Sequence, residues 1–174
     1  MKSRPGVTAS TRNDWLRLDD ATLLKQCQEE RYRASGPGGQ RRNKVETALR
    51  LHHLPSGVAV QAEESRYLAE NRTRALRRLR GRIALELRAP LDLEAPKLPP
   101  ELLAQRGPKG TLTVNPRNPA YPLVLATALD ALTAAGGSYA KGARALGITT
   151  SQLLRLLRAD PQAWRAAEEI RRRD

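Results

Sequence analysis

Cysteine is almost absent: Cys27 is the only one in 174 residues, which excludes an intrachain disulfide and any CxxC metal site. A reducing compartment suits such a chain. Acidic residues are also scarce, 18 against 31 Lys+Arg, giving a formal net charge of +13 and an isoelectric point near 10.9. That imbalance points to a polyanionic partner, because each phosphate neutralised by Lys or Arg releases condensed counterions. The plain alternative is a protein whose cations only solvate its surface. Long apolar runs are missing too. No stretch approaches the roughly 20 apolar residues of a membrane span, and the Leu/Ala-rich run around Val124 is broken by Asp130. Met1 to Pro5 carries positive charge with no apolar segment behind it, so no secretory signal is expected. These absences together lead to the expectation of a soluble, cytoplasmic chain with no membrane association.

What is abundant divides the chain. Eight of the twelve prolines (Pro90, Pro96, Pro99, Pro100, Pro108, Pro116, Pro119 and Pro122) fall between residues 90 and 122, a stretch that no continuous helix tolerates. Residues 89–120 therefore read as a connector along a surface, with a short strand at Thr111-Leu112-Thr113-Val114. The expected divisions are 1–88, 89–120 and 121–174. The first carries 19 Lys+Arg and 10 acids, net +9, whereas residues 89–174 carry 12 and 8, net +4. The basic weight sits upstream.

Within residues 1–88, Asp19-Asp20 suits the cap of a short helix through Leu24. Gln28 to Ala34 reads as a strand. Leu49 and Leu51 alternate with Arg50 and His52 in a half-buried strand, and Val58 and Val60 alternate in the returning one. Between them, Leu54-Pro55-Ser56-Gly57 has Pro second and Gly fourth, which suits a type I turn. From Glu63 to Leu87, the spacing of Leu68, Leu76, Leu79, Ile83 and Leu87 keeps one apolar face of a helix. The expected fold class is α+β, a small sheet with a long basic helix packed across it, followed by an all-α segment.

The segment Ser35-Gly36-Pro37-Gly38-Gly39-Gln40 concentrates glycine and proline, and so reaches backbone conformations closed to other residues. Gly-Gly-Gln alone is too short to carry meaning. The longer run is not: Arg33-Ala34-Ser35-Gly36-Pro37-Gly38-Gly39-Gln40, then Asn43-Lys44, then Ala48-Leu49-Arg50-Leu51, the hairpin turn, and Asn71-Arg72 leading a basic helix. Over roughly residues 28–84 this resembles the catalytic domain of class I peptide chain release factors. The resemblance implies water attacking the ester that joins a nascent peptide to tRNA. Gly38 and Gly39 would let the backbone approach the terminal adenosine. The Gln40 backbone N–H would stabilise the transition state and leaving hydroxyl, while its side chain positions water. It further implies that large-subunit rRNA and peptidyl-tRNA are partners, that a glutamine methyltransferase acts on Gln40, and that no cofactor is needed. Relatives mostly place His or Asn after the glutamine, then a small apolar residue, where this chain has Arg41-Arg42. The family's Arg-Ser-Gln run appears as Arg66-Tyr67-Leu68.

Other chemistry is poorly served. Ser35 lacks a G-x-S-x-G context. The adjacent His52 and His53 point to opposite faces of a strand, so they cannot share one metal ion. Arg66, Arg72, Arg74, Arg77, Arg78, Arg80 and Arg82 lie in seventeen residues with one acid, Glu70. Arg74, Arg78 and Arg82 recur every four, a ridge expected to contact RNA phosphate together with Arg41, Arg42, Asn43, Lys44, Arg66, Arg72 and Arg77.

A complete release factor of this class reads a stop codon through a separate domain, and residues 1–27 are too short for one. The expectation is therefore a codon-independent, ribosome-rescue type of peptidyl-tRNA hydrolase acting as a monomer. Rescue hydrolases often carry a basic tail, of which only Arg171-Arg172-Arg173 is reminiscent. Leu125, Leu129 and Leu132 instead mark a helix ended by Gly136-Gly137. Ser138 caps a second helix, Tyr139 to Leu146, and after Gly147-Ile148 a third opens at Thr149-Thr150-Ser151. This pattern resembles the helix-turn-helix of Fis-type DNA-binding proteins, with Thr150, Gln152, Arg155 and Arg158 as nucleic-acid or ribosome contacts. Two other functions compete: a ribosome- or RNA-binding quality-control factor without hydrolysis, and a DNA-binding regulator.

Overall fold

The structure, a computed structural model, describes residues 9–33 and 47–173. It is α+β, with a three-stranded antiparallel sheet and several helices. The described residues divide into two compact units: Asp14–Ile83, and Ala84 onward together with residues up to Asn13.

Helix α1 (Ala9–Arg17), whose residues from Asp14 belong to the first unit, leads to α2 (Asp20–Lys25), and Asp19 caps α2 by accepting from the Thr22 backbone N–H. Three strands follow, β1 (Cys27–Tyr32), β2 (Ala48–His53) and β3 (Val58–Ala62), in the order β1-β2-β3. Alternation in β2 buries Leu49, Leu51 and His53 and exposes Arg50 and His52, as the period-2 pattern requires. The register sets Glu29 against Leu51, Tyr32 against Ala48 and Leu49 against Ala62. The hairpin between β2 and β3 turns through Leu54, Pro55, Ser56 and Gly57, the four residues expected. Its closing bond runs from the Gly57 N–H to the His53 carbonyl, and Gly57 takes φ 62, a left-handed value that suits glycine.

The long helix α3 (Leu68–Glu86) begins five residues later than Glu63. Residues 63–67 are instead held in bends by Ser65, whose backbone N–H donates to Asn71 Oδ1 and whose Oγ accepts from the Tyr67 N–H. Ala75, Leu76, Leu79 and Ile83 are buried along α3.

In the second unit, residues 89–120 hold the short helix α4 (Pro100–Gln105) and a turn of 3-10 helix at Pro108–Gly110. The strand expected at Thr111 to Val114 reduces to one bridge between Arg106 and Leu112. Leu102 and Leu112 enter the same apolar core as Leu125, Leu129, Leu132, Leu146, Leu153 and Leu157, so this proline-rich stretch packs instead of merely spacing. Four helices build that core: α5 (Tyr121–Ala134), α6 (Tyr139–Leu146), α7 (Thr150–Arg158) and α8 (Pro161–Arg171). Ser138, Thr149 and Asp160 cap α6, α7 and α8, and Gly147 ends α6 at φ 64. Sequence periodicity missed α1 and α8. Both carry mixed polar and apolar residues whose burial depends on distant partners.

Candidate functional site

Gly38, Gly39, Gln40, Arg41, Arg42, Asn43 and Lys44 lie outside the described residues. What is described is the frame from which that segment departs and to which it returns. Its two flanking strands meet at the Tyr32–Ala48 pair. Tyr32 Oη donates to Glu63 Oε2 at 3.1 Å. On the returning side, Asn71 Nδ2 donates to the Thr47 carbonyl at 2.8 Å and to the Ser65 carbonyl at 2.8 Å. Asn71 is completely buried, and with Oδ1 accepting from Ser65 its amide uses both donors and its acceptor. A buried amide must be satisfied in this way or carry a desolvation penalty of roughly 1–3 kcal/mol.

The arginines of α3 do not form a uniform ridge. Arg72 engages Glu29 of β1 through Nε and Nη2, both at 2.9 Å. The Arg72 hydrogen bond holds the Glu29 carboxyl below its ordinary range, and Glu29 in turn raises Arg72. Arg78 binds the Gln61 carbonyl at 2.7 Å and also the Glu64 carboxylate, whose pKa it lowers. Arg80 reaches Asp20 at 2.7 Å and the Leu18 carbonyl at 2.6 Å. Arg74 sits 3.7 Å from Glu70, and Arg66 lies over the exposed Tyr67 ring at 4.8 Å. Arg77 is exposed and has no partner among the described residues, and Arg82 is exposed as well. The helix itself holds few acids, but Glu29, Glu64 and Asp20 come to it from elsewhere in the chain. Cations on the same helix therefore divide into those tying the unit together and those facing solvent.

His53 is buried in the hairpin. Its Nδ1 is 2.7 Å from Ser56 Oγ and its Nε2 3.0 Å from Gln26 Oε1, with Trp15 edge-on at 5.1 Å. The Ser56 backbone N–H also points at Nδ1, so Nδ1 accepts and Nε2 carries the proton. Burial pushes its pKa down to about 4, helped by His52. Ser56 and His53 are both fully buried, so the pair clasps the turn and is closed to a substrate. Among the described residues no His/Cys/Asp/Glu group could hold a metal ion, and no helix is long and apolar enough to cross a membrane.

In the other unit Thr150, Arg155 and Arg158 are exposed on α7, and Gln152 is half-buried with Oε1 enclosed and unbonded. Ser151, Leu154, Arg155, Arg158 and Ala159 line a shallow depression there. Arg158 also stacks on Trp164 at 4.9 Å, Trp164 lies parallel to Tyr139, and Arg171 lies over the Tyr139 ring at 5.1 Å. Sequence reading missed the roles of Asn71, Tyr32 and Glu29. The one available signal was that Asn71-Arg72 stands at a fixed place in the release-factor pattern.

The described frame is thus a buttressed hairpin sheet with a basic helix across it, and the Gly-Gly-Gln segment falls between β1 and β2 in sequence. Residues 22–97 match the RF-1 domain family, and within this region the chain is similar to peptide chain release factors. It is 48% identical over 56 residues to peptide chain release factor 1 of Chloroherpeton thalassium, covering 32% of this chain and 16% of that one. It is 47% identical over 60 residues to peptide chain release factor 1 of Granulibacter bethesdensis, covering 34% and 17%. Against the chloroplastic peptide chain release factor PrfB1 of Arabidopsis thaliana it is 55% identical over 51 residues, covering 29% and 11%. The matches thus span about a sixth or less of the length of these curated relatives.

Proposed function

We propose that this chain hydrolyses the peptidyl-tRNA ester on the ribosome without reading a stop codon. The observation that carries the reading is the RF-1 match over residues 22–97, which encloses Gly38-Gly39-Gln40. In this reading water attacks the ester carbonyl, the Gln40 backbone N–H meets the charge that develops, and the bond to the ribose oxygen breaks. Gly38 and Gly39 leave room for the terminal adenosine. Arg77 and Arg82, with Arg66, Arg41, Arg42, Asn43 and Lys44, supply contacts to large-subunit rRNA. Arg72 and Arg78 serve the fold first, because each already holds a carboxylate. Thr150, Arg155 and Arg158 offer a second contact with ribosomal RNA. Beside the match stand helices α5–α8, which the codon-independent reading takes as a placement module on the ribosome. The protein acts as a cytoplasmic monomer, and Gln40 is the substrate of a glutamine methyltransferase.

The test is peptide release from ribosomes carrying peptidyl-tRNA, with stop, sense and empty A sites compared. Release in all three supports the reading. Release on stop codons alone overturns the codon-independent part, and tight binding without release leaves a non-hydrolytic quality-control factor.

A further inference from the structure

We propose that Asn71 is a positioning residue that sets the stem of the Gly38-Gly39-Gln40 segment; this rests on the hydrolase reading above and deepens it. β1 and β2 come together at the Tyr32–Ala48 pair, so the direction in which the chain leaves and returns is fixed by what holds those strand ends. The returning end is held by one side chain. Asn71, in the first turn of α3, donates to the Thr47 carbonyl at 2.8 Å, donates to the Ser65 carbonyl at 2.8 Å and accepts from the Ser65 N–H at 2.9 Å. The departing end is held by Tyr32, whose hydroxyl donates to Glu63 at 3.1 Å. Both ends are therefore referred to the same short stretch, residues 63–65, directly before α3. The neighbouring Arg72 grips Glu29 of β1 with two 2.9 Å bonds, fixing the departing strand on the same helical turn.

The chemistry of Asn71 is demanding. Two carbonyl oxygens and one N–H converge on it, which only a primary amide answers with two donors and one acceptor. An aspartate of the same shape would set carboxylate oxygens against two carbonyls. An alanine would leave Thr47 and Ser65 groups unpaired in a buried place. Reactions that depend on a backbone donor at a reacting oxygen lose rate steeply when that donor shifts by about 1 Å. A stem anchor therefore acts on the chemical step more than on binding, since ribosome contact is spread over many cations.

The experiment compares Asn71→Ala and Asn71→Asp with Val58→Ala, a core variant remote from the stem, after matching their thermal destabilisation. Peptide release is measured at saturating protein and at half-saturation. The expected result is at least a tenfold lower saturating rate for both Asn71 variants, less than a threefold change in half-saturation, and a near wild-type rate for Val58→Ala. Equal losses in all three variants would make Asn71 a folding residue only and overturn the proposal. Wild-type protein that releases no peptide would sink the hydrolase reading instead. The anchoring itself is then judged by hydrogen exchange at the Ala48 amide. Exchange about tenfold faster in Asn71→Ala than in Val58→Ala upholds the anchor, and equal exchange rejects it.

Discussion

His53 shows how a single side chain carries a measurable pH signature. Folded, it is buried among Ser56, Gln26 and Trp15 with its pKa lowered to about 4. Unfolded, it titrates near the ordinary histidine value of about 6.5. Between those values the unfolded chain binds the proton and the folded chain does not, so stability falls as pH falls through this window and levels off below it. Urea unfolding is expected to show a loss of about 3 kcal/mol from this group between pH 7 and pH 4. His53→Gln, which cannot titrate, should flatten that window; an unchanged slope would mean that other groups dominate. At Gln40 the expectation concerns rate. Gln40→Ala and Gly39→Ala should each lower peptide release at least tenfold with ribosome binding retained, since a tenfold rate corresponds to only about 1.4 kcal/mol. Wild-type release rates from either variant would show that the segment does not act at the ester. That His52 and His53 face opposite ways was legible from alternation alone. Their partners were not, because Gln26 lies 27 residues away from His53 in sequence.

Helix α3 is where sequence and structure differ most usefully. The four-residue spacing of Arg74, Arg78 and Arg82 reads as one cationic ridge, and locally it is one. Folding then brings Glu64 to Arg78, Glu29 to Arg72 and Asp20 to Arg80. These pairs are partly exposed, so each adds only about 1 kcal/mol or less, but they decide which charges remain for RNA. Arg77→Glu is accordingly expected to weaken ribosome binding and lower the log–log salt slope by about 1 with no change in melting temperature. Arg78→Glu should lower the melting temperature as well, because it gives up the Gln61 carbonyl and faces Glu64. Salt titrations of binding alongside thermal melts separate the two. Identical behaviour of the variants would show that Arg78 is as free as Arg77.

On the scale of the whole chain, one long-range tie lies in the unit that begins at Ala84 and includes the start of α1. Arg12 binds both oxygens of Asp130, at 2.9 and 2.7 Å, across 118 residues of sequence. Asp130 also accepts from the Ala89 N–H at 2.9 Å and faces Arg88, whose pKa burial lowers to about 10. One carboxylate thus serves two buried guanidinium groups. Asp130→Ala should destabilise this unit by about 3–5 kcal/mol, since it leaves buried cations unpaired; urea unfolding checks this, and a change below 1 kcal/mol would contradict it. Cutting the chain after Leu87 separates Arg12 from Asp130 and removes the α5–α8 core, so such a truncation should lose stability as well as affinity. The sequence by itself determined the three strands of the sheet, the caps at Asp19 and Ser138, the α6–α7 turn and the release-factor pattern, because each depends on local spacing and backbone preference. Only the tertiary structure decided that residues 89–120 pack into a core, that Asn71 clasps Thr47, and which arginines are already engaged. Those outcomes depend on groups tens of residues apart meeting in space, and no periodicity along the chain records which will meet.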